Sequence, residues 1–118
     1  MFLQLNHQKL EVYRHSKQFV FECYKTTKHL PADEKFNMIQ QIRRAALSVH
    51  LNIAEGASRK SLAERKRFYE IARSSMVEID SALDIAAELG YMKEISVENI
   101  GQAMITTFKL LTGLINAS

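Results

Sequence analysis

Apolar residues recur along most of this chain at alternating steps of three and four residues, the spacing of helices that pack into left-handed bundles. The clearest run comprises Ile39, Ile42, Ala46, Val49 and Ile53. Little interrupts such runs, because the 118 residues include only one proline and four glycines, the residues that most often break helices. The pattern therefore predicts an all-α protein built from long helices.

The first two predicted helices are separated by a proline. We expect the first helix to cover about residues 7–29, because Pro31 disfavours helix at the residue before it. The second is expected to begin near Glu34, with Asp33 as its N-cap, and to end at Gly56, a residue type common just after helices. The inner face of the first helix is predicted to comprise Val12, Ser16, Phe19, Cys23 and Thr27.

The third and fourth predicted helices have clear boundary signals. Ser61, with Glu64 three residues later, forms a capping-box sequence that predicts the start of the third helix, and Gly90 is expected to end it. The fourth begins near Ser96. The inner face of the third is predicted to comprise Phe68, Ala72, Ser75, Ile79, Ala82 and Ala86. That of the fourth is predicted to comprise Ile100, Met104, Thr107, Leu111 and Leu114.

Short connections between four helices predict an up-down-up-down four-helix bundle that forms a single domain over residues 1–118. The fourth helix carries more apolar surface than such a bundle needs. Beside its seam lie Ala103, Ile105, Phe108, Leu110 and Ile115. An excess apolar face on a terminal helix indicates a subunit interface, so we expect a homo-oligomer.

Charge is unevenly distributed along the chain, although the net charge is only +3. Residues 41–75 hold eight Lys and Arg against three Asp and Glu, whereas residues 76–118 hold two against six. This asymmetry indicates either a polyanionic partner or self-complementary packing between copies.

A basic cluster lies at the predicted turn between the second and third helices, with a net charge of +4 over residues 59–67. A phosphate backbone attracts such a patch whatever its base sequence, so RNA or DNA is a candidate partner. The candidate phosphate contacts are Arg59, Lys60, Arg65, Lys66 and Arg67, with Arg43 as a lesser candidate. The alternative interpretation is a solvated helix start without a partner.

A polar stripe runs beside the apolar one. On the second helix it comprises Gln41, Arg44, Ser48, Asn52 and Glu55, and on the third Arg73, Ser75 and Glu78. Buried charges must pair, so we expect Arg44 to pair with Glu78, or Arg73 with Glu55. The stripe is interpreted as a structural polar network, inside the bundle or between copies. The alternatives are a solvated face, or a ligand or catalytic pocket around Asn52, Glu55 and Glu78.

The sequence lacks the signatures of several functional classes. No two histidines are four residues apart, no histidine follows a glutamate by three residues, and the glycines are isolated. We therefore expect no metal, no cofactor and no enzymatic activity. The single cysteine, Cys23, excludes an internal disulfide and fits a buried position in a cytoplasmic protein. Neither a signal-peptide pattern nor an apolar run of 18 residues occurs, so no membrane association is expected.

The segment from Gln41 to Leu83 resembles a four-helix-bundle family first noticed in intervening sequences of 23S ribosomal RNA genes. The most specific residues are Arg43, Arg44, Ser48, Asn52 to Gly56, Ala72, Arg73, Ser75 and Glu78. The resemblance extends to residues 10–36 and 89–91. It implies a four-helix subunit assembled as a ring, typically a pentamer.

A related branch of the family serves as the accessory protein of diversity-generating retroelements and uses a basic ring surface to engage nucleic acid and a reverse transcriptase. For most members no activity is established. This chain departs from the family at Tyr13, where tryptophan is common, at Ser74, where glycine is common, and at His50, where proline is usual. His50 implies a straighter second helix.

Three functional hypotheses follow. The first is a non-enzymatic homo-oligomer that binds RNA or DNA through the basic cluster without sequence preference. The second is an interaction scaffold whose basic cluster docks an acidic protein partner. The third is an enzyme or ligand-binding protein with its pocket around Asn52, Glu55 and Glu78.

Overall fold

The computed structural model describes residues 1–117, and all regular secondary structure in that range is helical. The four α-helices are α1 (Glu11–Thr27), α2 (Gln40–Ser58), α3 (Leu62–Glu88) and α4 (Glu98–Asn116). Each helix packs on the next one in the chain, and α4 also packs on α1, so the four form a closed square of neighbours. Short connections make sequential neighbours antiparallel. The predicted all-α architecture of four helices is confirmed.

The first helix begins later than predicted. Leu10 has an extended backbone, with φ of −73° and ψ of 139°, and separates α1 from a 3₁₀ turn at Asn6–Lys9. The helical run predicted to begin at residue 7 is therefore two elements. The predicted inner face of α1 is confirmed, since all five of its residues are buried.

The start of α2 is also more complex than predicted, and Asp33 does not cap it. Ala32–Glu34 forms a 3₁₀ turn and Lys35–Ile39 a π-helical turn before the α-helix begins at Gln40. The Glu34 carboxylate accepts hydrogen bonds from Asn37 at 3.0 Å and from the Tyr91 hydroxyl at 3.1 Å. The bond from Tyr91 ties this segment to the connection between α3 and α4.

Gly56 does not end α2, which continues to Ser58. A Cβ atom on Gly56 would lie 2.8 Å from Cε1 of Tyr69 and 3.1 Å from Cβ of Phe68. Glycine at this position therefore lets α2 and α3 approach closely. The sequence prediction was wrong here because it assigned to capping a glycine that serves packing.

The ends of α3 match their predicted signals. The Ser61 hydroxyl accepts a hydrogen bond from the Glu64 amide at 3.0 Å. At the other end Gly90 has a φ of +82°, and the Tyr91 amide donates to the Ala86 carbonyl at 3.0 Å. The left-handed glycine with this hydrogen bond is a Schellman motif, which satisfies carbonyls at the end of the helix.

The core draws on all four helices, but the buried face of α3 is rotated from the predicted one. Tyr69 and Met76 are buried, whereas the predicted Phe68, Ser75 and Ala82 are only partly buried. The close approach at Gly56 places the Tyr69 ring between the helices. The largest fully buried side chains of the core are Phe19, Ile42, Val49, Ile53, Met76, Ile79 and Leu111.

Cys23 is buried in this core, as expected. Burial raises the pKa of its thiol to about 12, and the nearby Glu22 carboxylate acts in the same direction. The thiol is therefore protonated and unreactive in the folded protein.

Candidate functional site

The turn between α2 and α3 brings five of the six candidate phosphate-binding residues to one end of the bundle. We call this group the basic turn, defined as Arg59, Lys60, Arg65, Lys66 and Arg67. The turn is short because α2 ends at Ser58 and Ser61 caps α3 only three residues later.

Two members of the basic turn are engaged inside the subunit. The Arg59 guanidinium pairs with the Glu55 carboxylate at 2.8 Å and lies over the Phe68 ring, 4.9 Å from its centroid. The Arg65 Nε donates to the Arg59 carbonyl oxygen at 2.6 Å. These contacts fasten the end of α2 to the first turns of α3, so Arg59 and Arg65 shape the turn.

The other three members, Lys60, Lys66 and Arg67, are exposed. Within residues 1–117, none of the three takes part in an ion pair or a side-chain hydrogen bond. Their charges are therefore available to an external anion without the loss of any internal interaction.

The two aromatic residues nearest the basic turn do not offer a free ring face. Phe68 is half-buried under Arg59, and Tyr69 is 5% exposed. Burial raises the pKa of the Tyr69 phenol, while the charge of Arg65 acts in the opposite direction. Stacking of bases on this surface would require the aromatic contacts to be broken.

Arg43 does not belong to the basic turn. It precedes Arg59 by 16 residues on α2, which corresponds to about 24 Å along the helix axis. Its Nε donates to the Thr27 hydroxyl at 2.9 Å, and its guanidinium lies over the Tyr24 ring, 4.7 Å from the centroid. Arg43 therefore fastens α2 to α1.

The polar stripe connects α2 to α3 through two sets of hydrogen bonds. The hydroxyls of Ser48 and Ser75 are 3.1 Å apart, and Gln41 Nε2 donates to Glu78 Oε1 at 3.0 Å. Asn52 Nδ2 donates to the Ser48 carbonyl at 2.8 Å within α2. Apart from Arg73, the stripe thus lies along the seam between α2 and α3, and its outer members face solvent.

Both predicted ion pairs of the stripe are wrong. Glu55 pairs with Arg59, and Arg73 reaches α4, where it donates to the Thr112 hydroxyl at 3.3 Å. Arg44 makes no ion pair or side-chain hydrogen bond in the described part of the chain. The pairings fail because Arg73 lies on the side of α3 that faces α4 and Glu55 has a closer partner one turn away.

The proposed ligand pocket around Asn52, Glu55 and Glu78 does not form as a unit. A polar open cavity of about 420 Å³ lies between α2 and α3 and includes Glu78 and Arg44, but it is not lined by Asn52 or Glu55. Residues 1–117 contain no cluster of three or more His, Cys, Asp or Glu side chains that could hold a metal ion.

One polar contact in the bundle could not be predicted from the helical spacing of the sequence. His50 lies on α2, and its Nδ1 is 2.6 Å from the hydroxyl of the buried Ser16 on α1. The Tyr13 ring packs on the His50 ring with centroids 4.4 Å apart. Residues 34 positions apart form this contact, so no local spacing in the sequence could have predicted it.

None of the helices within residues 1–117 combines the length and the hydrophobicity needed to cross a membrane.

Comparison with known proteins identifies the family. The family model described as 23S rRNA-intervening sequence protein matches residues 8–113, which is most of the chain. No curated protein matches the sequence. The match covers α1, α2 and α3 completely and α4 up to Gly113, so it includes the basic turn and the polar stripe. The chain therefore belongs to the 23S rRNA-intervening sequence protein family.

Proposed function

We propose that the protein is a non-enzymatic homo-oligomer of the cytoplasm that binds RNA or DNA through the basic turn without sequence preference. The observation that carries this proposal is the exposure of Lys60, Lys66 and Arg67 without internal partners. Each such cation can contact a phosphate and release a counterion, which is the main source of sequence-independent affinity for nucleic acids.

The surroundings of the three free cations favour contacts to the backbone over contacts to bases. Phe68 is covered by Arg59 and Tyr69 is buried, so no ring is presented for stacking. Contacts to phosphates position a protein on nucleic acid but carry no sequence information. The interaction is therefore expected to be sensitive to salt and tolerant of sequence.

Assembly into a ring, with a pentamer as the favoured form, is part of the proposal. Ile105 on α4 is 53% exposed, which supports a contact between copies at this helix. A ring would set one basic turn from each subunit on a common rim and multiply the phosphate contacts. Light scattering on a sizing column is expected to give a mass five times that of the 13.5 kDa chain. A monomeric mass would contradict this part.

The binding proposal is tested by reversing the three free charges together. The variant K60E/K66E/R67E is expected to lose affinity for a fluorescein-labelled RNA or DNA duplex by on the order of 100-fold in a fluorescence-anisotropy titration. The internal contacts of Arg59 and Arg65 remain, so the turn keeps its shape.

A matched control carries the same change of net charge elsewhere. Lys9, Lys28 and Lys109 are exposed and belong to no ion pair in residues 1–117, and K9E/K28E/K109E should bind close to the original affinity. Equal losses in the two variants would contradict a localised site. Binding to polyglutamate with none to either nucleic acid would favour the alternative, a scaffold that docks an acidic protein.

A further inference from the structure

A second surface lies away from the basic turn, between the C-terminal half of α3 and the N-terminal half of α4. It is an open groove of about 610 Å³. Its apolar walls include Leu83, Ile85, Met92, Val97, Ile100 and Met104. Ile85 and Val97 are 52% and 47% exposed, so the subunit leaves much of this apolar surface in contact with water.

The groove has an acidic rim. Asp80 and Asp84 line it and lie four residues apart on α3, so their side chains are neighbours on one helix face. Neither carboxylate takes part in an ion pair or a side-chain hydrogen bond within residues 1–117. Two unpaired negative charges beside an apolar surface are complementary to a ligand that is both apolar and basic.

Gly101 lies in the wall that α4 contributes to the groove. A glycine inside a helix costs about 1 kcal/mol relative to alanine, so its presence calls for a structural reason. Gly56 makes room for Tyr69, and Gly90 has a positive φ. A Cβ atom on Gly101 or on Gly113 would meet nothing within 4 Å, so no neighbour in the subunit requires glycine at either position, and of the two Gly101 lies in the groove. Glycine at this point lets a partner approach the backbone of α4 from the groove.

We propose that the groove binds an amphipathic helix of a protein partner, with apolar residues of that helix against the groove walls and its Lys or Arg residues paired with Asp80 and Asp84. Helices that bind in grooves place apolar residues at spacings of three and four along one face, which matches a groove bounded by two helices. The acidic rim repels nucleic acid, so this surface and the basic turn have separate partners.

A second copy of this chain is the rival occupant. On α2 the exposed Arg44 lies near Leu47 and Leu51, which are 40% and 58% exposed. The mass measurement described below distinguishes this occupant from the proposed partner helix.

The test uses a substitution on α4 that adds a side chain to the groove wall. Gly101→Leu adds a side chain to the groove wall at a position where a Cβ atom meets nothing within 4 Å, and Gly113→Leu is a matched control, since Gly113 also lies in α4 with open space around its Cβ position. The probe is a synthetic helical peptide of leucine and lysine in an amphipathic pattern, and its leucine–glutamate counterpart tests the role of charge. Isothermal titration calorimetry measures the affinity of each protein for the two peptides.

The lysine peptide is expected to bind the original protein and Gly113→Leu equally, and to bind Gly101→Leu about 10-fold more weakly or worse. The glutamate peptide should not bind, and D80N/D84N should weaken binding of the lysine peptide. Unchanged affinity in Gly101→Leu, or equal binding of the two peptides, would overturn the proposal.

Two further measurements on Gly101→Leu distinguish the proposed partner helix from other occupants of the groove. Its mass by light scattering should equal that of the original protein, and a reduced mass would overturn the proposal by showing that a second copy covers the groove. Its affinity for nucleic acid should be unchanged, and a loss would overturn the assignment of separate partners to the two surfaces.

Discussion

The hydroxyl oxygen of Ser16 lies 2.6 Å from Nδ1 of His50 and joins α1 to α2 inside the bundle. The Ser16 hydroxyl also donates to the Tyr13 carbonyl at 3.0 Å, and the neutral His50 tautomer with its proton on Nδ1 would satisfy both contacts at once. Ser16 is fully buried, which excludes it as a nucleophile for an external substrate. The pair is a structural link between two helices.

Protonation of His50 should weaken the fold. Burial lowers its pKa below the ordinary 6.5, and the charges of Lys17 and His7 act in the same direction. Well above pH 6.5 the residue is neutral in both the folded and unfolded states, so it adds no pH dependence there. As the pH falls below that value, the unfolded chain binds the proton first, and the free energy of unfolding decreases.

Urea unfolding at about pH 7.5 and about pH 5 measures this effect. His50→Gln should reduce the decrease in the free energy of unfolding between the two pH values, whereas His29→Gln, at an exposed position, should leave it nearly unchanged. The same decrease in His50→Gln as in the original protein would show that the acid sensitivity arises elsewhere.

Gly56→Ala should destabilise the protein although alanine favours helix. The added Cβ atom would lie 2.8 Å from Cε1 of Tyr69, so the ring and α3 must shift, at a cost of about 1–3 kcal/mol. Gly113→Ala, at a helical position with open space, should instead stabilise the protein by up to about 1 kcal/mol. Urea denaturation compares the two variants, and equal effects would refute the packing role of Gly56.

Arg43 should contribute to stability and not to nucleic-acid binding. Arg43→Lys keeps the charge but cannot reproduce the planar contact with Tyr24 and the hydrogen bond to Thr27, so it should lower the free energy of unfolding by about 1 kcal/mol. Its affinity for a labelled duplex should match that of the original protein. Reduced affinity with unchanged stability would place Arg43 on the interface, in conflict with its position in the bundle.

Features with local causes could be predicted from the sequence. The cap at Ser61 and the turn at Gly90 depend on residues within a few positions, and both have the predicted geometry. Gly56 was assigned the wrong role because its reason is a ring on another helix, that of Tyr69. The buried face of α3 was misplaced for the same reason.

Contacts between helices also limited the prediction of the candidate site from the sequence. In the sequence, the five cations of the basic turn are equivalent. The fold separates them, because Arg59 finds Glu55 on α2 and Phe68 on α3, while Lys60 has no such neighbours. The spacing of four residues between Glu55 and Arg59 is visible in the sequence, but the contacts of Arg59 with Phe68 and of Arg65 with the Arg59 carbonyl depend on how two helices meet.

The most direct test of the account is the salt dependence of nucleic-acid affinity in the original protein and in K60Q/K66Q/R67Q. For duplex DNA, the logarithm of the binding constant falls with the logarithm of salt concentration by about 0.9 for each phosphate contact. Loss of three contacts in one subunit should therefore make the slope shallower by about 2.7, and by more if several subunits bind together. An identical slope in the two proteins would show that the basic turn does not contact the phosphate backbone.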